Sequence, residues 1–231
     1  MYRVVAGFGG TKIRLYVQDL TEKWLLLIEA QYVNAIANEL FLSVAAHLSN
    51  RKDNKQYYLY WALKEWDWFR KSGMINSANN INDGLTLPSC KNNHLTVWSY
   101  NQGTVLGGLV ELSRAVSDRG YIGTATTIAY AGIEALSSSE HILHESCEPD
   151  CGGDASQFKG ILMRNLASLY TATRSEILKE YIEDNAVSIW AYDRDVTGKL
   201  GLILAGPSTQ AANASTHSSA LDALVAAIVV A

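Results

Sequence analysis

Ser99-Tyr100-Asn101-Gln102-Gly103 is a hydrophilic entry into a helix, running directly into Val105, Leu109, Leu112 and Val116, which share one helical face. The same arrangement recurs. Asn34-Ala35-Ile36-Ala37-Asn38-Glu39 opens a stripe of Ile36, Leu40, Val44 and Leu48. Gln157-Phe158-Lys159-Gly160 opens one of Phe158, Ile161, Leu162, Leu166 and Leu169, and Ser218-Ser219-Ala220-Leu221-Asp222 one of Leu221, Leu224 and Ile228. Taken from Asn34, Tyr100, Gln157 and Ser218, the entries lie 66, 57 and 61 residues apart. Ordinary amphipathic helices alternate with them, marked by Tyr58, Trp61, Ala62 and Phe69, by Ile122, Ala125, Ala129, Ile133 and Leu136, and by Leu178, Tyr181, Ile182, Ile189 and Trp190. A period of this size suits a helical hairpin plus a long loop, and such hairpins must stack because each alone leaves an apolar face in water. The expected fold is all-α: a toroid whose inner helices converge on an axis, whose outer helices wrap them, and whose polar entries surround one mouth. Gly103, Gly107 and Gly108 fit close packing in the inner ring, since a mid-helix glycine costs about 1 kcal/mol against alanine.

Composition bounds the partners. The chain has 231 residues, 48% of them apolar, enough for one continuous core. Nineteen Lys plus Arg against 23 Asp plus Glu give a net charge of −4, without the basic excess that a nucleic-acid partner requires. The last apolar stretch, Ala220 to Ala231, is shorter than a membrane span and is interrupted by Asp222. Residues 1–20 show no compact apolar run followed by a small-residue cleavage site, so no secretory signal is visible. Residues 1–30 lie outside the helical pattern: Val4-Val5-Ala6 reads as strand before the glycine-rich Gly7-Phe8-Gly9-Gly10-Thr11.

Several local patterns point to chemistry, each with a plainer reading. Gly9-Gly10-Thr11 resembles a phosphate loop, but no strand–helix alternation follows it. His141, His144, Cys147 and Cys151 have spacings that suit zinc; a Cys147–Cys151 disulfide with two solvated histidines is favoured, and no metal or cofactor is expected. Asp193-Arg194-Asp195-Val196-Thr197-Gly198 starts like a calcium loop but has Leu204 where a bidentate Glu is required, so it reads as a polar turn. Asp154-Ala155-Ser156-Gln157 has the form of a capping box. Glu148, Asp150 and Asp154 lie close to the two cysteines, and carboxylates at an inner mouth suit sugar hydroxyls. Asn34, Asn38 and Glu39 on an apolar helix belong either to a hydrogen-bonded core network or to a wet cavity, because burying them without partners costs several kcal/mol. Trp98, Tyr100 and Phe158 are either core aromatics or a platform for sugar rings. Asn213-Ala214-Ser215 is a glycosylation sequon, relevant if the protein is exported.

Taken in order, Asn34-Ala-Ile-Ala-Asn-Glu-Leu-Phe41, Asn82-Asp-Gly-Leu85, Cys90-Lys-Asn-Asn93, Trp98-Ser-Tyr-Asn-Gln-Gly103, Leu106-Gly-Gly-Leu-Val-Glu-Leu112, Cys147-Glu-Pro-Asp-Cys151, Gln157-Phe-Lys-Gly160 and Ser218-Ser-Ala-Leu-Asp-Ala-Leu224 resemble glycoside hydrolase family 76. The resemblance covers residues 31–231 and leaves 1–30 as a non-matching segment. It implies an (α/α)6 barrel, endo-acting and retaining hydrolysis of α-1,6-mannan or mannooligosaccharides, and a secreted or cell-surface, fungal-type setting. The cleft-lining residues it implies are Asn34, Glu39, Tyr100, Asn101, Gln102, Asp150, Asp154, Gln157 and Phe158.

The family's chemistry uses two adjacent aspartates, one attacking the anomeric carbon and the other protonating the leaving oxygen. No Asp-Asp occurs in these 231 residues. The resemblance places that pair on an inner helix ahead of Asn34, in hairpins this sequence does not carry. The chain alone is therefore expected to be inactive, with a non-catalytic mannan-binding or partner-binding helical module as the alternative. An incomplete ring should expose two wide apolar faces. Family members carry a further cysteine ahead of Asn34, and its loss implies that Cys90 is unpaired. The resemblance also implies an aromatic where this chain has Leu204-Ala205, which removes one sugar-stacking contact.

Overall fold

The computed structural model describes residues 2–5, 14–17, 32–207 and 211–231. The glycine-rich stretch 7–11, with its phosphate-loop resemblance, lies outside the described residues. Ahead of it, β1 (Tyr2–Val5) pairs antiparallel with β2 (Arg14–Val17), so the strand reading of Val4-Val5 holds.

Among the described residues seven α-helices follow: α1 (Ala35–Arg51), α2 (Lys55–Phe69), α3 (Ser99–Val116), α4 (Gly120–Leu136), α5 (Phe158–Thr173), α6 (Glu176–Ser188) and α7 (Ala214–Val230). The odd-numbered helices form an inner arc in which α1 packs on α3, α3 on α5 and α5 on α7. The even-numbered helices lie outside it, α2 against α1, α4 against α3, and α6 against α5 and α7. Helices α1 and α7 do not pack on each other, so the arc is open. A short antiparallel sheet, β3 (Tyr32–Asn34), β4 (Gly84–Thr86) and β5 (Lys91–Asn92), sits at the entry to α1. Among the described residues no helix is long and apolar enough to cross a membrane.

The repeat is visible in the loops as well as the helices. Three equivalent turns are closed by single antiparallel bridges, Ile75↔Ile81, Ser137↔Leu143 and Arg194↔Leu200. In each, a side chain accepts two backbone N–H groups: Asn76 from Ala78 and Asn80, Ser138 from Glu140 and Ile142, Asp195 from Thr197 and Lys199. The last residue of each turn then donates its N–H to a helical side chain. Ile81 reaches Gln102 at 2.8 Å, Leu143 reaches Asn185 at 2.9 Å and Leu200 reaches His217 at 3.1 Å. A buried loop N–H needs a partner, and this supplies one in every hairpin. Asp195 is thereby explained as the polar turn expected from its sequence.

Glycine sets the spacing inside the arc. A Cβ on Gly103 would stand 2.6 Å from Leu162 Cα, and one on Gly160 would stand 2.8 Å from Ser219 Cα. Both neighbours are backbone, so the α3–α5 and α5–α7 separations depend on the missing side chain.

Two of the apolar stripes turn partly outward, although Ile36 of the first is buried and Leu224 of the last packs against the core. Of the first, Leu40 is 37% exposed and Val44 56%, while the buried side of α1 is Asn38, Leu42, Ala45, Ala46 and Ser49. Of the last, Leu221 is 42% exposed and Ile228 76%, while α7 buries Thr216, Ser219, Ala220, Ala223 and Ala226. These are the two ends of the open arc, beyond which no further inner helix packs among the described residues. The middle stripes are mostly core; Phe158 and Ile161 line a cavity instead, Tyr58 and Trp61 are half-buried, and Trp190 is exposed in a π-helical turn (Ile189–Asp193) beneath the Arg194 guanidinium. Two helix starts also differ from the expected ones. Asp154 makes no side-chain cap; a 3-10 turn, Ala155–Gln157, precedes α5 instead. The capping box belongs to Asn213, whose side chain accepts from Ser215 and Thr216 and starts α7 before Ser218.

Candidate functional site

The starts of α1, α3 and α5 and the loops ahead of them enclose a cavity of about 560 Å³, within the range of small-ligand sites. One wall is aromatic. Tyr100 stacks on Phe158 with centroids 3.8 Å apart, and Trp98 meets Phe158 edge-on at 5.5 Å. All three rings line the cavity rather than the sealed core. Burial pushes the Tyr100 hydroxyl far above its ordinary pKa, reinforced by the nearby carboxyls of Glu39 and Asp83, so it remains a neutral donor.

The opposite wall comes from β3 and the turn before β4. The Asn34 side chain donates from Nδ2 to the Tyr32 hydroxyl at 2.9 Å and caps α1 by accepting from the Ala37 N–H at 3.3 Å. The Tyr32 hydroxyl is in turn bonded to Asp83, which lines the cavity and whose pKa is raised by burial. Asp154 and Gln157, both exposed, form the third side, in the segment between the Cys147–Cys151 disulfide and α5. The half-exposed Arg164 guanidinium also lines the cavity, held 2.9 Å from Asp222 of α7. The cavity thus offers ring faces on one side and carboxylate, amide and hydroxyl groups on the others, a combination suited to a polyhydroxylated ring.

The sequence placed Asn34, Tyr100, Asp154, Gln157 and Phe158 here, and the structure brings those five together. It places the other four elsewhere. Gln102 is fully buried and holds the Ile75–Ile81 turn, donating to the carbonyls of Ile81 and Trp98. Asn101 is fully buried and does not reach the cavity. Glu39 is also fully buried, does not line this cavity, and has no hydrogen-bond partner for either carboxyl oxygen; burial, with the nearby Asp83 carboxyl, raises its pKa well above the ordinary glutamate value. Asp150 is exposed on the disulfide loop, where it accepts from the Gly152 N–H at 3.2 Å, and stands outside the cavity. Leu204 is buried and its carbonyl is bonded to Ser188, so no group there reaches the cavity.

Of the four polar helix entries, three line the cavity. The fourth touches only its rim, through Ser215 Oγ donating to the Gly153 carbonyl at 3.2 Å. Asp83, Tyr32 and Trp98 line the cavity as well. Asp83 lies in an irregular loop, where spacing carries no signal, although it stands inside the Asn82-Asp-Gly-Leu85 motif. Among the described residues no three His, Cys, Asp or Glu side chains gather to hold a metal. Cys147 and Cys151 are bonded to each other, His144 pairs with Glu148 at 2.9 Å, and Cys90 is free and exposed.

This open arc of helical hairpins around a ring-lined mouth coincides with a sequence match: the profile of glycosyl hydrolase family 76 matches residues 24–229. The chain belongs to glycosyl hydrolase family 76. A mannan endo-1,6-alpha-mannosidase of Candida albicans is 27% identical over 165 residues, and one of Saccharomyces cerevisiae is 29% identical over 159. Those alignments cover 67% and 66% of this chain but 36% and 34% of the relatives, so the family 76 chain spans about a third of their length. An alpha-1,6-mannanase from Salegentibacter sp. HEL1_6 superposes with a TM-score of 0.77 at 20% identity, covering 87% of this chain and 60% of that one. A Listeria innocua protein superposes with a TM-score of 0.76 at 24% identity, covering 85% and 56%. The shared fold is the (α/α) barrel, of which this family 76 chain carries a four-inner-helix arc. The Salegentibacter enzyme has also been seen with α-1,6-mannotriose, in an inactive variant with two adjacent aspartates replaced by asparagine.

Proposed function

We propose that this family 76 chain is the substrate-binding part of an endo-acting, retaining α-1,6-mannan hydrolase, and that these 231 residues bind the polysaccharide without cleaving it. The observation that carries the reading is the cavity at the helix starts, where the Trp98–Tyr100–Phe158 rings face the polar wall of Asn34 and Asp83. Retaining hydrolysis needs two carboxyls about 5 Å apart across the scissile bond, and the family's adjacent pair is not in this sequence. Asp83 and Asp154 are the carboxyls that line the cavity; they act here as hydroxyl acceptors. A protein whose rim loop is closed by a disulfide suits an oxidising compartment, which supports a secreted or cell-surface location. Asn213 is exposed and uses its side-chain oxygen as the cap, leaving the nitrogen free for a glycan.

Calorimetric titration with α-1,6-mannotriose, paired with a reducing-end assay on α-1,6-mannan, tests both halves. Saturable heat without new reducing ends is the expected result. Absence of heat overturns binding, and appearance of reducing ends overturns inactivity.

A further inference from the structure

The disulfide loop sends two buried carboxylates in opposite directions. Glu145, fully buried, turns to α3: its Oε1 accepts from the Ser99 N–H at 3.0 Å and from the Ser99 hydroxyl. It therefore occupies the place of an N-cap that α3 lacks locally, since Trp98 offers no capping side chain. Glu148 turns to α5: its Oε1 pairs with Nζ of Lys159, whose side chain is 1% exposed, and its Oε2 with His144. The two carboxylates are linked, because the Glu145 N–H donates to Glu148 Oε1 at 3.1 Å.

The residues at the far ends of these bonds adjoin the ring platform. Ser99 stands between Trp98 and Tyr100, and Lys159 follows Phe158. Yet the stack joins α3 to α5, so the ring geometry depends on how the two helix starts are held relative to each other. Their own packing fixes the helix axes; the first turns, which carry the rings, are fixed by the loop. Burying two carboxylates and an ammonium is costly unless each is paired, which is a poor arrangement for stability alone and a good one for specifying geometry.

Resting on the mannan reading above, we infer that Glu145 and Glu148 are positioning residues: a carboxylate clamp that holds Ser99 and Lys159, and through them sets the Trp98–Tyr100–Phe158 platform for a sugar ring.

The test uses the full 231-residue chain. Glu145→Ala removes the acceptor, Glu145→Gln keeps it, and Ser99→Ala removes one donor. Titrated with α-1,6-mannotriose, Glu145→Ala is expected to weaken binding about tenfold, Ser99→Ala about threefold, and Glu145→Gln to stay within about threefold of wild type. Rescue by the isosteric amide separates positioning from a general loss of packing. Equal affinity for Glu145→Ala and wild type overturns the clamp, as does a Gln variant as weak as the Ala one.

Amide hydrogen exchange without ligand distinguishes this from failure of the mannan reading. If wild type gives no binding heat, that reading falls, and the clamp is judged on Ser99–Gln102 amides, expected to exchange at least about tenfold faster in Glu145→Ala with α4 amides unchanged. Unchanged exchange at Ser99 overturns it. Should Glu145→Ala not fold, Ser99→Ala and Glu145→Gln decide by the same two readouts.

Discussion

At the scale of single residues the cavity's energetics rest on ring contacts and on where protons sit. Phe158 is the shared member of the stack, touching both Tyr100 and Trp98, so Phe158→Ala removes the platform rather than one edge of it. Mannotriose affinity should fall about fivefold to tenfold, the scale of a lost ring contact, as measured by calorimetry. The buried carboxyls make stability depend on pH in two opposed ways. Burial pushes Glu145 up to about 7 and Asp193 up to about 6. The folded chain therefore holds protons that the unfolded chain has released, and stability falls as pH rises from the ordinary carboxyl values to those two. Glu111 is the reverse case. Burial pushes it up, but hydrogen bonds from Arg51 and Asn50 and the charges of His47 and Arg51 outweigh that and bring it down to about 2. Its contribution is present above the ordinary glutamate value and is lost as pH falls from there toward 2. The Tm should thus be highest near pH 5 and decline on both sides. Glu145→Gln should flatten the alkaline limb, and Glu111→Gln the acid limb at a cost of about 2 kcal/mol at neutral pH. A Tm that rises steadily from pH 5 to 8 would contradict the Glu145 and Asp193 assignments.

At the scale of elements, close helix approach decides which substitutions the arc tolerates. Gly103→Ala must push α3 off the α5 backbone, because its Cβ meets Leu162 Cα and the Ile161 carbonyl rather than a movable side chain. Helix propensity favours alanine by about 1 kcal/mol, yet the clash should win and destabilise the chain by about 2 kcal/mol. Gly123→Ala on the outer helix α4, where a Cβ meets nothing within 4 Å, should instead be stabilising, and urea denaturation of the pair checks the sign. The same contrast explains what was legible beforehand. Helical spacing located α3, α4, α5 and α6 and their buried faces, because in the middle of the arc the buried apolar face of each helix packs on a neighbouring helix, although Ile177 and Val187 of α6 face water. On α1 and α7 it selected Leu40, Val44, Leu221 and Ile228, whereas Ala45, Ala46, Ala220 and Ala223 face the arc. Periodicity finds the bulkiest face, but small residues permit the closest helix contact, and spacing does not say which side has a partner. The placement of Gln102 has a related origin: a polar residue at a helix entry looks substrate-facing until the buried N–H of Ile81 is seen to require it. Asp83 and the Glu145 clamp escaped because loops have no period, and their contacts span tens of residues.

At the scale of the whole molecule the open arc has a consequence that follows from its two ends being alike in chemistry. Around α1 and α2, Phe41, Val44, Ala45, Leu48, Tyr57, Tyr58 and Trp61 line an apolar groove of about 320 Å³. At the other end, Val225 is 55% exposed, Ile228 76% and Val229 49%. Contiguous apolar faces of this kind drive association in water, and two of them at opposite ends of one arc permit chain-like rather than self-limiting contacts. The isolated 231-residue chain should therefore associate with rising concentration, seen as a mass that climbs in light scattering across the micromolar range. Val44→Glu with Ile228→Lys should suppress that climb. Both positions are more than half exposed, so unfolding free energy should move by no more than about 0.5 kcal/mol. The net charge stays at −4, so the effect cannot come from overall repulsion. Lysine at 228 also sits in the last turns of α7, where a cation complements the helix dipole. Because neither residue lines the ring-walled cavity, the proposed affinity for mannotriose should be unchanged in the double variant while the scattering falls. A concentration-independent monomer in the unsubstituted chain would show instead that the exposed stripes are tolerated by water as they stand.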